Sequence, residues 1–373
     1  MSVLRLDGLS KSYGATEALR DVSFECREGE FFTLFGPSGA GKTTILELIA
    51  GTKRDYSGSI QIKGRAAEGL AIQERNVSMA FENYALYPHL SVGENIAFPL
   101  RSPRAAKIGE AEIAKKVQWT ADELGIGHLL DRNPVQLSGG QKQRVSLARA
   151  LVRPADVYLL DEPIAHLDAK LRSIARANLK AMARNLGATI VYVTHDFREA
   201  LGLSDRVLVL NEGRVLQIAE PRALYHHPKT DFVGHLLGDP AMNLVDGELR
   251  EGPVFVSEGV TFNLAGKLAA EAKARLDEGK RDARLGIRPS GVAVSLEDPG
   301  GATPLPLYTL EHTPDHALIY VQIGDGFFGG LAPLRTRLPV GAQVWLQLQA
   351  DAGHLFDASF PLTVSSRHRE TAT

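Results

Sequence analysis

Three short segments carry residue types whose spacing could do chemistry. The first, Gly36-Pro37-Ser38-Gly39-Ala40-Gly41-Lys42-Thr43, fits the pattern G-x-x-x-x-G-K-[ST]. Its glycines let the backbone curl until successive N–H groups face one phosphate. A helix starting there adds its positive end to the same anion. Lys42 would place a point charge near the β and γ phosphates of a nucleotide. The Thr43 hydroxyl would ligate Mg²⁺, and Thr44 continues the phosphate contact. The second segment, Val157-Tyr158-Leu159-Leu160-Asp161-Glu162, is an apolar run ending in two acids. Asp161 would hold Mg²⁺ through water, and Glu162 would orient or deprotonate an attacking water. Alone, such a pair is often just solvated. The third, Leu137-Ser138-Gly139-Gly140-Gln141, opens a helical pattern through Val145, Ala148 and Leu151 up to Pro154. Its hydroxyl and bare N–H groups suit an anion, but taken alone the segment is better read as an ordinary helix N-cap.

The flanking elements would position these groups. Phe31-Phe32-Thr33-Leu34-Phe35 reads as a buried strand running into the glycine-rich loop. Ile45, Leu46, Leu48 and Ile49 then fall on helical spacing, and Gly51 stops the helix. Val77, Met79 and Phe81 alternate as in a strand, and Ile190-Val191-Tyr192-Val193 is another buried strand. Between Leu160 and Ile190 lies an amphipathic stretch with Leu171, Ile174, Leu179, Met182 and Leu186, stopped by Gly187. Alternation of this kind predicts a mostly parallel α/β sheet. Residues 91–155 read as a helical insert. After residue 236 short β-like pieces dominate, at Val254–Val256, Val260–Leu264, Ala317–Ile323 and Gln343–Leu348, which predicts a second, small all-β domain. The expected boundaries are 1–235 and 236–373, with a frayed polar tail at Ser365–Thr373.

Composition narrows the classes. A chain of 373 residues exceeds one ordinary domain, and 44% hydrophobic with 23% charged residues excludes a disordered or fibrous chain. Lys plus Arg is 42 against 44 Asp plus Glu, a formal charge of −2, which gives no support to nucleic-acid binding. No apolar run approaches the roughly 18 residues of a membrane helix. Arg5 and Asp7 interrupt any signal-peptide core. Cys26 is the only cysteine, so an intrachain disulfide is excluded. A reducing cytoplasm is expected.

Taken together, the three segments resemble an ATP-binding-cassette ATPase, and the resemblance covers essentially the whole chain. It implies a P-loop NTPase fold followed by an oligonucleotide-fold-like β-barrel with a regulatory role. It also implies ATP and Mg²⁺ as ligands, and a head-to-tail dimer in which Leu137–Gln141 touches ATP held by the opposite subunit. Tyr13 matches the aromatic that stacks on adenine, although a sheet-edge tyrosine is the plain alternative. His195, in Tyr192-Val193-Thr194-His195-Asp196, matches the histidine that contacts the γ phosphate and positions water with Glu162. Asp168 matches the aspartate that communicates across the dimer, and it could also cap a helix.

Two positions depart from the pattern. Glu82, in Phe81-Glu82-Asn83-Tyr84-Ala85-Leu86-Tyr87-Pro88-His89, replaces the family's glutamine, which touches Mg²⁺ and leads to the loop contacting the membrane subunits. It is either a tolerated swap or a tuned site. Ala40 stands where many relatives carry cysteine. The segments Tyr84–His89, Leu224-Tyr225-His226-His227-Pro228, Phe232-Val233, Met242-Asn243 and Gly286-Ile287-Arg288-Pro289 resemble importer subunits of the maltose and glycerol-phosphate type. That branch implies a homodimer, or a pair with a related ATPase. It also implies two separate permease subunits, an extracytoplasmic solute-binding protein acting indirectly, and a place on the cytoplasmic face of a bacterial inner membrane. A sugar, polyol or sugar phosphate is the implied cargo. A soluble ATPase of the same family, a non-catalytic regulatory cassette, and an importer of polyamine, metal or anion remain as alternatives. The histidines at 226, 227 and 235 have no acid or thiol beside them at metal-ligand spacing.

Overall fold

The computed structural model describes residues 2–102, 108–298 and 302–358. They form two compact units divided between His226 and His227. The change of sequence texture at 235 lies a short helix later than this division. The expected tail Ser365–Thr373 lies outside the described residues.

In chain order the first unit contains β1 (Ser2–Tyr13), β2 (Thr16–Arg27), β3 (Phe31–Phe35), α1 (Lys42–Ala50), β4 (Ser57–Ile62), β5 (Arg65–Ala66) and β6 (Val77–Ala80). It continues with α2 (Val92–Ala97), α3 (Glu110–Glu123), α4 (Gly139–Leu151), β7 (Val157–Asp161), α5 (Ala169–Leu186), β8 (Ile190–Thr194), α6 (Phe197–Leu203), β9 (Arg206–Asn211), β10 (Arg214–Ala219) and α7 (Pro221–His226). A six-stranded sheet has the order β10-β9-β3-β8-β7-β6. Its neighbours pair in parallel except for β10, which runs antiparallel to β9. Every residue of β3, β7 and β8 is buried, as continuous apolar runs covered on both faces require. Alternate residues feed two cores. Phe31, Tyr158, Leu160 and Tyr192 pack toward Ile96, Val117, Val145 and Leu179. Phe32, Leu34, Leu159 and Val193 pack toward Ile45, Leu46, Leu48 and Ile49 of α1.

The register sets the site. Phe35 lies opposite Thr194, and Asp161 lies opposite Val193. The chain therefore leaves β3, β7 and β8 at one sheet edge, the carboxyl ends where ligands bind in open α/β sheets.

Three sequence expectations need correction. Phe81 is not part of its strand, which ends at Ala80, and the ring is 37% exposed. The apolar stripe of α5 is not uniformly covered: Leu179 and Met182 are buried, whereas Leu171, Ile174 and Leu186 are exposed. Gly187 does end that helix, with φ 57. The helix opened by Leu137–Gln141 ends at Leu151, before Pro154. The structure also adds a four-stranded antiparallel sheet, β2-β1-β4-β5, beside the parallel one. Register shifts along β1 blur its alternation.

The second unit contains α8 (Asp231–Leu236), β11 (Asn243–Arg250), β12 (Val254–Ser257), β13 (Val260–Asn263), α9 (Gly266–Asp277), β14 (Asp282–Ile287), β15 (Val292–Ser295), β16 (Leu305–His312), β17 (Ala317–Ile323), β18 (Gly326–Ala332), β19 (Gln343–Leu348) and β20 (Gly353–Phe356). It is β-rich, with a five-stranded sheet ordered β13-β12-β11-β14-β20 and a closed barrel ordered β15-β18-β17-β16-β19. Closure removes the strand edges. The strand-dominated reading did not include α9, whose Leu268 and Ala272 join the unit's core. Buried polar groups are paired: the Asn243 side chain donates to Gly329 O and accepts from Gly329 N. The Arg284 guanidinium bridges the Asp231 and Asp246 carboxylates, each at 2.6 Å.

Candidate active site

The glycine-rich loop is dictated by close approach. A Cβ at Gly36 would run into the Leu210 carbonyl. Gly41 has φ 105, and a Cβ there would stand 2.7 Å from Ala18 O. No larger residue fits at either of these two positions in the turn between β3 and α1. Helix α1 starts at Lys42 with Gly41 as its N-cap, so its unpaired N–H groups face the loop. Pro37 and Thr44 are half-buried, Ala40 is buried, and Ser38, Gly39 and Thr43 are exposed. Lys42 is 6% exposed, and its Nζ donates to Gly36 O at 2.9 Å and Pro37 O at 2.8 Å. Burial lowers its pKa, while the charges of Glu162, Asp161 and Glu82 act the other way.

The acids converge on the same place. Thr43 Oγ1 lies 3.4 Å from Asp161 Oδ1 as its donor. Asp161 is 3% exposed, and burial pushes its carboxyl up to about 6, with Glu162 and Glu82 adding to the rise and Thr43 and Lys42 opposing it. Glu162 has φ 45, a left-handed value rare for a residue with a side chain. Its amide donates to Val193 O at 3.1 Å, and its Oε1 lies 2.8 Å from His195 Nδ1. Glu162 is largely sheltered and His195 exposed, with side-chain exposures of 16% and 54%. Glu82 is exposed but near enough for its charge to act on Asp161 and Lys42. Hydroxyl and carboxylate oxygens of this kind form a hard donor set that suits Mg²⁺. Among the described residues no three His, Cys, Asp or Glu side chains form a self-sufficient metal site.

Other sequence-selected residues are not drawn into this cluster. Leu137 is buried, Ser138 and Gly139 are exposed, and Gly140 and Gln141 are half-buried. Ser138 caps α4: its Oγ accepts from Gln141 N at 3.3 Å, and Gln141 Oε1 accepts from Ser138 N at 2.9 Å. Asp168 is exposed and caps α5, accepting from Leu171 N at 2.9 Å. Tyr13 is 42% exposed at the end of β1, and Lys11 Nζ stands 5.1 Å from its ring centroid.

Two supporting residues escaped sequence reasoning. Gln143, 2% exposed on α4, donates to Glu162 O at 2.8 Å and accepts from His166 N at 3.3 Å. Arg172 on α5 donates to Ala165 O and Leu167 O, each at 3.0 Å, and reaches Asp196 at 3.4 Å. It ties the turn after Glu162 to the segment after His195. Neither residue breaks the helical pattern around it. A glutamine two positions past Gln141 was the one available hint.

A family model described as ABC transporter matches residues 19–165. The sn-glycerol-3-phosphate import ATP-binding protein of Cereibacter sphaeroides is 41% identical over 364 residues, covering 96% of this chain and 98% of its own. The xylose/arabinose import ATP-binding protein of Haloferax volcanii is 38% identical over 367 residues, covering 96% and 94%. Among solved structures, a dimeric ATP-binding cassette in a post-hydrolysis state bound to ADP and Pi has a TM-score of 0.55 at 30% identity. It covers 59% of this chain and 99% of that one.

Proposed function

The chain belongs to the ABC transporter family and is the ATPase of an importer, and from that premise we propose how its residues carry the reaction and what it serves. The reaction is ATP plus water giving ADP and phosphate. Residues Gly36 to Thr44, through every backbone N–H but that of Pro37, which has none, bind the phosphates at the start of α1. Lys42 exchanges its two backbone carbonyl acceptors for β and γ phosphate oxygens. Thr43, Asp161 and Glu82 would hold Mg²⁺, which when bound neutralises charge on the phosphates. Glu162 accepts the proton of the attacking water. His195, on the carboxylate through Nδ1, keeps Nε2 free for the γ phosphate. The observation that carries this reading is the Glu162–His195 pair at the sheet edge that also holds Lys42, Thr43 and Asp161.

Leu137–Gln141 and Asp168 serve the ATP of a second copy of the chain, or of a related ATPase, and Tyr13 stacks on adenine. The first unit binds nucleotide and the second regulates. Among the described residues no helix is long and apolar enough to cross a membrane. The chain acts at the cytoplasmic face of the membrane beside two permease subunits, with a solute-binding protein acting through them. The names of its relatives favour a sugar, polyol or sugar phosphate as cargo. The test is ATPase activity of the reconstituted transporter, assayed with pentoses, glycerol phosphate and polyamines in turn. Stimulation by a polyamine alone would overturn the cargo reading, and hydrolysis indifferent to the permease would overturn the coupling.

A further inference from the structure

Helix α4 does more than present Leu137–Gln141. Near its far end, Arg149 donates from Nη1 to Ala85 O and from Nη2 to Tyr84 O, both at 2.8 Å. Its guanidinium also lies 5.4 Å from the Tyr87 ring centroid. Tyr84 and Ala85 have φ 63 and 44, two consecutive left-handed residues that both carry a Cβ. Side-chain-bearing residues seldom adopt this conformation unless their surroundings hold them there. Arg149 is half-buried, and no carboxylate among the described residues offsets that burial. Its charge faces two carbonyls of a loop that begins two residues after Glu82. About 9 Å back along the same helix, Gln143 grips Glu162 O and His166 N. The circuit closes where the Tyr84 ring meets His166 edge-on, with centroids 5.9 Å apart.

We infer that Arg149 and Gln143 are positioning residues through which α4 places the loop carrying Glu82 and the backbone of Glu162 as one unit. The inference rests on the reading of Glu162 as the base. A guanidinium fork spans two adjacent carbonyls, whereas an ammonium makes a single point contact. Removing the fork lets residues 84 and 85 relax toward negative φ. The loop then shifts, although no group that touches nucleotide has changed.

The experiment uses the full chain with Arg149→Lys, Arg149→Met and Gln143→Met, and Glu162→Gln as control. Amide hydrogen exchange is read without nucleotide, together with kcat, KM and melting temperature. Both Arg149 variants should raise exchange within residues 82–90 and leave the β3, β7 and β8 amides protected. The Met variant should lower kcat about ten-fold or more with KM for ATP within about three-fold, and Lys should fall between. Gln143→Met should raise exchange in residues 162–167 and leave 82–90 closed less firmly than wild type. Unchanged exchange in 82–90 in both Arg149 variants overturns the inference. So does a uniform rise in exchange that tracks a lower melting temperature, or a change confined to KM. Should Arg149→Met fail to fold, the Lys variant decides by the same readings. A Glu162→Gln protein with normal turnover overturns the catalytic reading instead, while the exchange data still judge the grip on the loop.

Discussion

The two sets of chemical groups in the first unit are prepared very differently. At the sheet edge, Lys42 and Asp161 are almost fully buried, Thr43 contacts Asp161, and Glu162 contacts His195. At the start of α4, Ser138 and Gln141 face outward with their polar atoms in a capping box, and Asp168 likewise caps α5. The first set has the mutual geometry of a reaction centre within one chain. The second set is ordered but makes no hydrogen bond to the first. Burial with opposed charges tunes the first set: desolvation lowers the Lys42 pKa and raises that of Asp161, their mutual attraction opposes both shifts, and the acids beside Asp161 add to its rise. Local capping orders the second set at the surface.

That contrast can be broken at either end. Glu162→Gln should retain MgATP binding and cut turnover by about 10² or more, because the amide cannot accept the proton and no longer offers His195 a carboxylate. Single-turnover hydrolysis near the wild-type rate would show that the base lies elsewhere. Ser138→Arg should leave nucleotide affinity of the monomer mostly intact and abolish ATP-driven dimer closure, since a cation and bulk would be buried at the interface. Loss of monomer affinity with dimerisation preserved would place the segment in its own chain's site.

Asp168→Asn separates two roles held by one side chain. Asparagine caps about as well as aspartate, so the unfolding free energy should change by less than about 0.5 kcal/mol. ATP-dependent dimerisation should weaken nonetheless if the charge matters across the interface, and an unaltered dimerisation curve would leave the cap as its whole role. The smallest effect concerns Glu82→Gln. The charge of one metal-side group changes by a full unit, but attraction to the ion and repulsion of the nucleotide oppose each other. The Mg²⁺ concentration for half-maximal ATPase should shift. An identical titration in the assembled transporter would make Glu82 a bystander.

The groups gathered at the sheet edge were legible because each belongs to a local pattern. A glycine-rich loop between strand and helix, and an apolar run ending in Asp161-Glu162, are continuous in sequence. What was not legible is equally instructive. Gln143 and Arg149 look like any polar residues on a helix, and their roles depend on carbonyls far away in the chain. Helix α9 was lost among short β-like pieces because Leu268 and Ala272 are its only fully buried residues. Phe81 continued an alternation that the chain abandons at Ala80.

By itself the sequence determined the local chemistry. Gly36 and Gly41 permit the turn, Lys42 and Thr43 follow it, and an acid pair ends a buried strand. These depend on dihedral freedom and on residues adjacent in the chain. Tertiary structure alone decided which groups meet. Pairing of β3 with β8 and of β8 with β7 brings residues from 42 to 195 to one edge. Sheet register is a long-range choice, made by packing two apolar faces at once, and no single segment encodes it.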